Sequence, residues 1–587
     1  MRPPVALASL LLTVAVVAGL ATAYTNTSPL ALPAVVVEPG KSRVKLAVLV
    51  VFDQLRGDYL EKWRGLFGKD GFARLQNEGV WFTHCYYPYG ITSTGPGHAS
   101  MLTGTCPDRH GIVNNNWFER GEDVYCAGSP RYTIVPTPPP AKPDPKAKPD
   151  AKVKAPSGGT PERLLAETVA DVLRATHPKA KVFGLSLKDR SAILPTGKRP
   201  DGAYWFDGRF VTSTYYEQLH PWVAAFNKSG SADRWFGRDW TRFRTDIDYE
   251  KWSGPDDVPG EGGSRVFPHQ MTGGKATPGK EYYDTLANSP FGNDLLLEFT
   301  KKCVLAENLG ADDVPDLLVV SFSSNDLIGH TWGPDSQEVL DATLRSNAQM
   351  AELLAFLDTN VGRGQYLMGV TADHGICPLV EVSETRGIDA KRISPAAIQK
   401  DLEYHLTTKF GSAGGISLVP TKQTAWIESL VFPWVYFNPK LLAATGKSRG
   451  EVAAATTAYL RSRSDVARAF TRIDLAANFP ADDIVANRVK RSVWEAPTQA
   501  AERCGDVYIV QRPYYLPSKP IDTGTTHGSP YNYDTHVPLL FYGPGITGGA
   551  NSEPTTPQAT AAVFSKWLGL RLPNRAEFPV PVALEGK

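Results

Sequence analysis

Five stretches of the chain are apolar without interruption and then break into polar residues: Lys45 to Phe52, Lys181 to Ser186, Asp316 to Phe322, Gln365 to Thr371 and Val537 to Tyr542. Branched and aromatic side chains without polar alternation predict strands covered on both faces, as in a parallel sheet. Helical periodicity between them predicts helices over Pro161 to Ala175 and Ser336 to Thr359. Together they imply an α/β fold, a central mostly parallel sheet with helices on both faces. Asp53, Asp326, Asp373 and His374 all stand just after apolar runs, and open α/β sheets bind ligands beyond the carboxyl ends of their strands. One such aspartate would be a cap or a turn former. Several at the same edge point to a site.

The rest of the chain departs from this rhythm. Arg2, the apolar run Val5 to Leu20 and the ending Ala21-Thr22-Ala23 have the anatomy of a secretory signal peptide. A leader over 1–23 leaves 24–587 as a single exported catalytic domain, periplasmic or extracellular, with no further membrane-spanning run. The Pro/Ala/Lys-rich segment at 136–159 is expected to be an extended surface excursion. Stretches near 196–300 and 385–510 hold many of the tryptophans and tyrosines and interrupt the strand rhythm, so they are expected to be insertions capping the sheet edge.

Composition narrows the function. Lys plus Arg total 62 against 61 for Asp plus Glu, so no basic excess asks for nucleic acid. Glycine (52) and proline (47) are abundant, the mark of a loop-rich chain, and loops are where sites are usually built. Cys85, Cys106, Cys126, Cys303, Cys377 and Cys504 are scattered without a CxxC pair, which argues against a thiolate metal site. Export leaves room for one to three disulfides among them.

The chemistry concentrates in a few segments. Thr94 precedes Gly95-Pro96-Gly97-His98 and a short helical stretch. A helix N-terminus there would offer unpaired N–H groups to a tetrahedral anion, and a threonine hydroxyl activated by a cation could attack phosphorus. The alternative for Thr94 is a plain N-cap. Asp326 and His330 are four residues apart, within reach of one helical turn. Asp373 and His374 are adjacent, His527 lies in the small-residue loop Thr523 to Pro530, and Asp53 completes three aspartates with three histidines. That mixed oxygen and nitrogen set suits two Zn²⁺ ions better than Mg²⁺ or Ca²⁺. Lys188 and Arg190 alternate on a segment expected to be extended, which would turn both to one side, where they suit phosphate oxygens. Asn115 is a neutral donor in the turn that follows Gly111.

In this order, Asp53, Thr94, Asn115, Asp326/His330, Asp373/His374 and His527, the chain resembles the alkaline phosphatase superfamily. Within it the chain is most similar to the phosphate-irrepressible alkaline phosphatases with a threonine nucleophile, relatives of the nucleotide pyrophosphatase/phosphodiesterases. The resemblance implies that Asp53, Asp373, His374 and the Thr94 oxygen hold one Zn²⁺, and that Asp326, His330 and His527 hold the second. Asn115, Lys188 and Arg190 would bind the non-bridging phosphate oxygens. His536 in Asp534-Thr-His-Val-Pro competes with His527 for the last ligand position, and His527 is preferred for its His-Gly loop. Of the neighbouring hydroxyls Thr92, Ser93 and Thr94, only Thr94 has the family's spacing to His98.

The implied activity is a secreted phosphomonoesterase working on small-molecule phosphate monoesters through a phosphothreonine intermediate. Two added cations favour a monoester dianion. A phosphodiesterase or nucleotide pyrophosphatase on the same scaffold is the alternative, and a metal-free module whose Asp and His residues are caps is a third. A sulfatase fits less well, because its Cys or Ser in a C/S-x-P-x-R context has no counterpart at Thr94.

Overall fold

Every residue of the first strand, Leu46–Phe52, is buried. Successive side chains point to opposite faces of a sheet, so both faces of this strand are covered. The computed structural model describes residues 44–137, 158–217, 219–411, 424–494, 503–518 and 523–586. The expected leader at 1–23 lies outside these residues, as does all but the ends of the segment at 136–159.

In chain order the strands that matter here are β1 (Leu46–Phe52), β2 (Val80–Phe82), β3 (Ile134–Val135), β4 (Val182–Ser186), β5 (Gly202–Phe206), β6 (Phe210–Ser213), β7 (Asp316–Phe322), β8 (Tyr366–Thr371), β9 (Ile427–Val431), β10 (Trp434–Phe437), β11 (Val466–Thr471), β12 (Val507–Gln511), β13 (Leu539–Tyr542) and β14 (Gly549–Asn551). Ten of them form one sheet in the order β14-β2-β13-β8-β1-β7-β4-β5-β6-β3. Its centre, β8-β1-β7-β4-β5, is parallel. β13 departs from expectation and pairs antiparallel with both β8 and β2. Its apolar run reflects complete burial, which the sheet imposes whatever the strand direction.

The helices are α1 (Thr94–Thr103), α2 (Val169–Thr176), α3 (Asp189–Ile193), α4 (Pro290–Glu307), α5 (Ser324–Trp332), α6 (Gln337–Leu357) and α7 (Ala559–Trp567). They cover the sheet in two groups: α1 packs with α2, α3 and α7, while α4, α5 and α6 pack on one another. Ser336 caps α6 by accepting from the Val339 N–H, close to the expected start. The helix expected from Pro161 begins only at Val169, because Thr168 and Asp171 form a reciprocal capping box there. All six cysteines are described, each is buried, and none is paired.

The two stretches expected to cap the sheet differ in what they build. The first supplies β5 and β6 to the central sheet itself and then runs into α4. The second contains the antiparallel sheet β9-β10-β12-β11. Its core joins Val435 and Ile509 to Ile398, Leu402 and Val452 from the helices Pro395–Phe410 and Arg449–Ser462.

Behind α5 the loop 254–268 is tied down by Gly262 N donating to the Thr331 carbonyl (2.8 Å) and Trp332 Nε1 to the Ser264 carbonyl (2.8 Å). This loop buries Glu261 near Glu338 of α6, whose Oε1 lies 3.0 Å from His269 Nε2. Burial first, then the neighbouring carboxylates, push Glu261 and Glu338 up to about 9. Above the ordinary glutamate range the unfolded chain ionises while the folded carboxyls keep their protons, so stability drains as pH rises toward 9. Glu338→Gln removes one such group. The variant's melting temperature relative to the parent is expected to rise between pH 5 and pH 9, and a pH-independent difference would refute this account.

Candidate active site

The parallel strands deliver the polar residues to one edge of the sheet. Asp53 follows β1, Lys188 and Arg190 follow β4, α5 follows β7 with Asp326 and His330 one turn apart, and Asp373 and His374 follow β8. α1 brings Thr94 to the same edge as its first residue. It approaches closely because Gly97 lacks a side chain: a Cβ there would lie 2.4 Å from the Asp373 carbonyl oxygen. His98 pins α1 in place, with Nδ1 2.9 Å from the Thr94 carbonyl and Nε2 2.8 Å from Ser321 Oγ on β7.

Three imidazoles are oriented alike. His330 Nδ1 lies 2.7 Å from the Thr525 carbonyl, His374 Nδ1 2.9 Å from that of Gly375, and His527 Nδ1 2.7 Å from that of Thr92. A carbonyl can only accept, so each Nδ1 carries a proton and each ring turns its Nε2 toward the carboxylates, where the neutral form of the ring offers a lone pair. Asp326 Oδ1 lies 3.2 Å from His330 Nε2 and 3.6 Å from His527 Nε2. His374 Nε2 lies 3.5 Å from Asp53 Oδ1, 3.3 Å from Asp373 Oδ2 and 3.5 Å from Thr94 Oγ1. A tetrahedral zinc ion with bonds of about 2.1 Å spaces its donors ~3.4 Å apart. Lone pairs facing each other at that spacing repel unless a cation sits among them.

Two donor groups emerge: Asp326, His330 and His527 form one, and Asp53, Asp326 and His374 the other, the donor atoms of each lying within 4.8 Å of one another. Asp53 Oδ1 and Asp373 Oδ2 are buried without a hydrogen-bond partner, which divalent cations would remedy. His536 is elsewhere, stacked on Tyr86 with Nε2 3.0 Å from the Thr83 carbonyl.

Charge in the cluster is unbalanced. Burial and the facing Asp373 hold Asp53 well above the usual carboxylate range. Burial works against Asp326 too, but His330 and Lys188 outweigh it and hold that carboxylate well below the range. His527 is pushed far down by burial and by His374 and His330, and His374 is lowered by burial, so both favour the neutral ring that binds a cation.

Thr94 does not act as a side-chain cap. Its Oγ1, buried at the cluster, faces His374 Nε2 and lies 3.4 Å from Arg190 Nη2. The segment carrying Lys188 and Arg190 is not extended throughout, since α3 begins at Asp189. Lys188 Nζ bridges Asp53 Oδ2 (2.6 Å) and Asp326 Oδ2 (2.5 Å), whereas Arg190 reaches the Thr94 hydroxyl. Asn115 accepts from Gly95 N through Oδ1 (2.6 Å), which turns its amide toward the start of α1. In front of Thr94 opens a cavity of about 380 Å³, bordered by Asn115, Arg190, His330 and His527 and, across from them, by Pro395, Phe432, Pro433, Gln511 and Pro517.

Gln54 went unnoticed in the sequence. It is buried in a left-handed conformation (φ 69°), donating from its backbone N to Asp373 Oδ1 (3.1 Å) and from Nε2 to Asp326 Oδ1 (2.6 Å). One residue thus fixes a carboxylate at each end of the cluster, in a conformation that costs about 1–3 kcal/mol outside glycine. Gly329 makes room for it: a Cβ there would lie 1.8 Å from Gln54 Oε1. A side-chain amide after Asp53 gave no signal as a motif, because its role comes from backbone conformation.

Residues 47–530 match the type I phosphodiesterase / nucleotide pyrophosphatase family. Alkaline phosphatase PafA of Elizabethkingia meningoseptica is 31% identical over 551 residues, which is 91% of this chain and 93% of the relative. Alkaline phosphatase PhoV of Synechococcus elongatus is 31% identical over 546 residues, 91% of each chain. The crystal structure of wild-type PafA superposes with a TM-score of 0.79 at 30% identity, covering 92% of this chain and 98% of that one.

Gln54→Met keeps the length of the side chain and removes its donor. Zn²⁺ affinity, measured by competition with a chelating dye, is expected to fall about 10–100-fold. Unchanged affinity would mean that Asp326 needs no such partner.

Proposed function

Because the chain belongs to the type I phosphodiesterase / nucleotide pyrophosphatase family and has the alkaline-phosphatase-like fold, we propose that it is a two-zinc phosphomonoesterase acting on small-molecule phosphate monoesters. Its alkaline phosphatase relatives support a phosphoric ester hydrolase. The observation that carries the finer reading is the Thr94 hydroxyl, set 3.5 Å from His374 Nε2 at the edge of the donor cluster and 3.4 Å from Arg190 Nη2.

In this reading Asp53, Asp373 and His374, with the Thr94 oxygen, would hold one zinc ion, and Asp326, His330 and His527 would hold the other. When bound, the pair supplies positive charge to the attacking and leaving oxygens of an in-line displacement. Thr94 Oγ1 attacks phosphorus after giving up its proton to solvent, the ester P–O bond breaks, and the leaving alkoxide takes a proton from water. Water then cleaves the phosphothreonine, and Thr94 regains its proton. Arg190 holds non-bridging oxygens from the hydroxyl side, and Asn115 sits at the same rim. Each histidine keeps its proton on Nδ1, against a carbonyl, through both steps. A mature domain over 24–587, with the β9–β12 unit as its cap, is the organisation that goes with this reading. The signal-peptide pattern at 1–23 supports export, and among the described residues no helix is long and apolar enough to cross a membrane.

One observation favours the diesterase alternative. Lys188 stands on Asp53 and Asp326, leaving Arg190 as the cation nearest the hydroxyl, and a diester has one charge fewer to match. Turnover of an aryl phosphate against a bis-aryl phosphate separates the two.

Thr94→Ala is expected to abolish turnover while retaining zinc, as measured by metal analysis of the purified variant. Arg190→Ala should slow monoester cleavage about 10²–10³-fold and diester cleavage much less. Full activity of the first variant, or equal losses on both esters in the second, would reject the corresponding assignment.

A further inference from the structure

The cavity in front of Thr94 is chemically two-sided. The phosphoryl side is polar apart from Ile91, and among its described lining residues Arg190 is the one lysine or arginine. The rest of the lining comes from residues 395–517, as Pro395, Phe432, Pro433 and Pro517 with Gln511 beside them.

This wall is rigid. Phe432 and Pro433 are the two-residue tip of the β9–β10 hairpin, closed by the pairing of Val431 with Trp434. Ile509 N donates to the Pro433 carbonyl (2.9 Å), which fastens the tip to β12. Pro395 is the first residue of its helix, and Pro517 ends the short strand Tyr515–Pro517, paired with Ile393. Phe432 packs part of its ring on the core of the four-stranded unit and is half-buried, so the rest borders the cavity. Gln511 is anchored at its carbonyl, which accepts from Tyr531 Oη (2.6 Å). Proline has no rotamer freedom to lose and phenylalanine little, so contact with this wall carries a small ordering cost.

We infer that this wall is a leaving-group subsite selecting phosphate monoesters whose leaving group is flat, aromatic and uncharged, with the ring packed on Phe432 and the prolines and a polar substituent met by Gln511. Among the described residues of this side a leaving group with its own phosphate meets no second cation, and a small polyol has little apolar surface of its own to bury. The inference rests on the phosphomonoesterase reading and adds the substrate class to it.

The test compares kcat/KM for phenyl phosphate and methyl phosphate in the parent, Phe432→Ala and Phe432→Leu, with melting temperatures as a check on folding. Taking the ratio of the two esters within each protein, then comparing proteins, cancels their different intrinsic reactivity. The phenyl-to-methyl ratio is expected to fall about tenfold in Phe432→Ala, and less in Phe432→Leu, which keeps apolar volume without the ring. An unchanged ratio in both variants overturns the subsite while leaving the phosphomonoesterase reading intact. Failure of the parent to hydrolyse either ester overturns that reading, and the subsite falls with it. Should Phe432→Ala not fold, the Phe432→Leu ratio decides.

Discussion

The structure turns on burying three carboxylates together at the ends of parallel strands. Asp53, Asp326 and Asp373 converge where β1, β7 and β8 stop, in a place the sheet and helices close to water. Carboxylates taken out of water repel one another and lose their hydration, which is tolerable only if positive charge joins them. Lys188 supplies one charge, on Asp53 and Asp326. Neutral imidazoles such as those of His374 and His527 add donors without adding charge, and the two donor groups could hold cations that supply the rest. Much of the surrounding architecture follows from holding this arrangement together, from the close approach of α1 through Gly97 to the left-handed turn at Gln54.

Much of this was legible in the sequence, and the reason is mechanical. A parallel sheet needs long apolar strands and places its ligands after them, so runs such as Asp316 to Phe322 announced both an element and the position of its functional residue. The same logic failed for β13, whose apolar run records burial and not direction. It failed at Pro161, where a capping box further along sets the helix start. Arg190 reaches the site from a helix and not from an extended segment, because two residues of spacing say nothing about where a strand ends.

The residues that escaped notice act through backbone geometry. Gln54 matters through a positive φ and an N–H, whereas His98 was visible through its spacing to Thr94, and the structure adds that it bonds a carbonyl of its own helix and a serine on β7. A positive φ leaves no pattern of residue types. His536 illustrates the converse: its neighbours in sequence looked suitable for a ligand, but its ring is stacked on Tyr86. The make-up of the cavity is also a matter of topology, since the sheet edge provides most of the polar groups, while Phe432 and Pro433 come from the four-stranded sheet and Pro395 and Pro517 from the helix and short strand beside it.

The partners of the three imidazoles are main-chain oxygens of Thr525, Gly375 and Thr92. A main-chain oxygen belongs to every amino acid, so the path of each loop aims the ring, while the residues themselves are fixed for other reasons: a Cβ at Gly375 would lie 2.2 Å from the Tyr533 carbonyl, and the Thr92 and Thr525 hydroxyls donate to the Ser529 and Cys377 carbonyls. The aim of the three rings is therefore a property of loop course, and whatever displaces a loop, whether an insertion, a deletion or a side chain at Gly375, turns a histidine away with it.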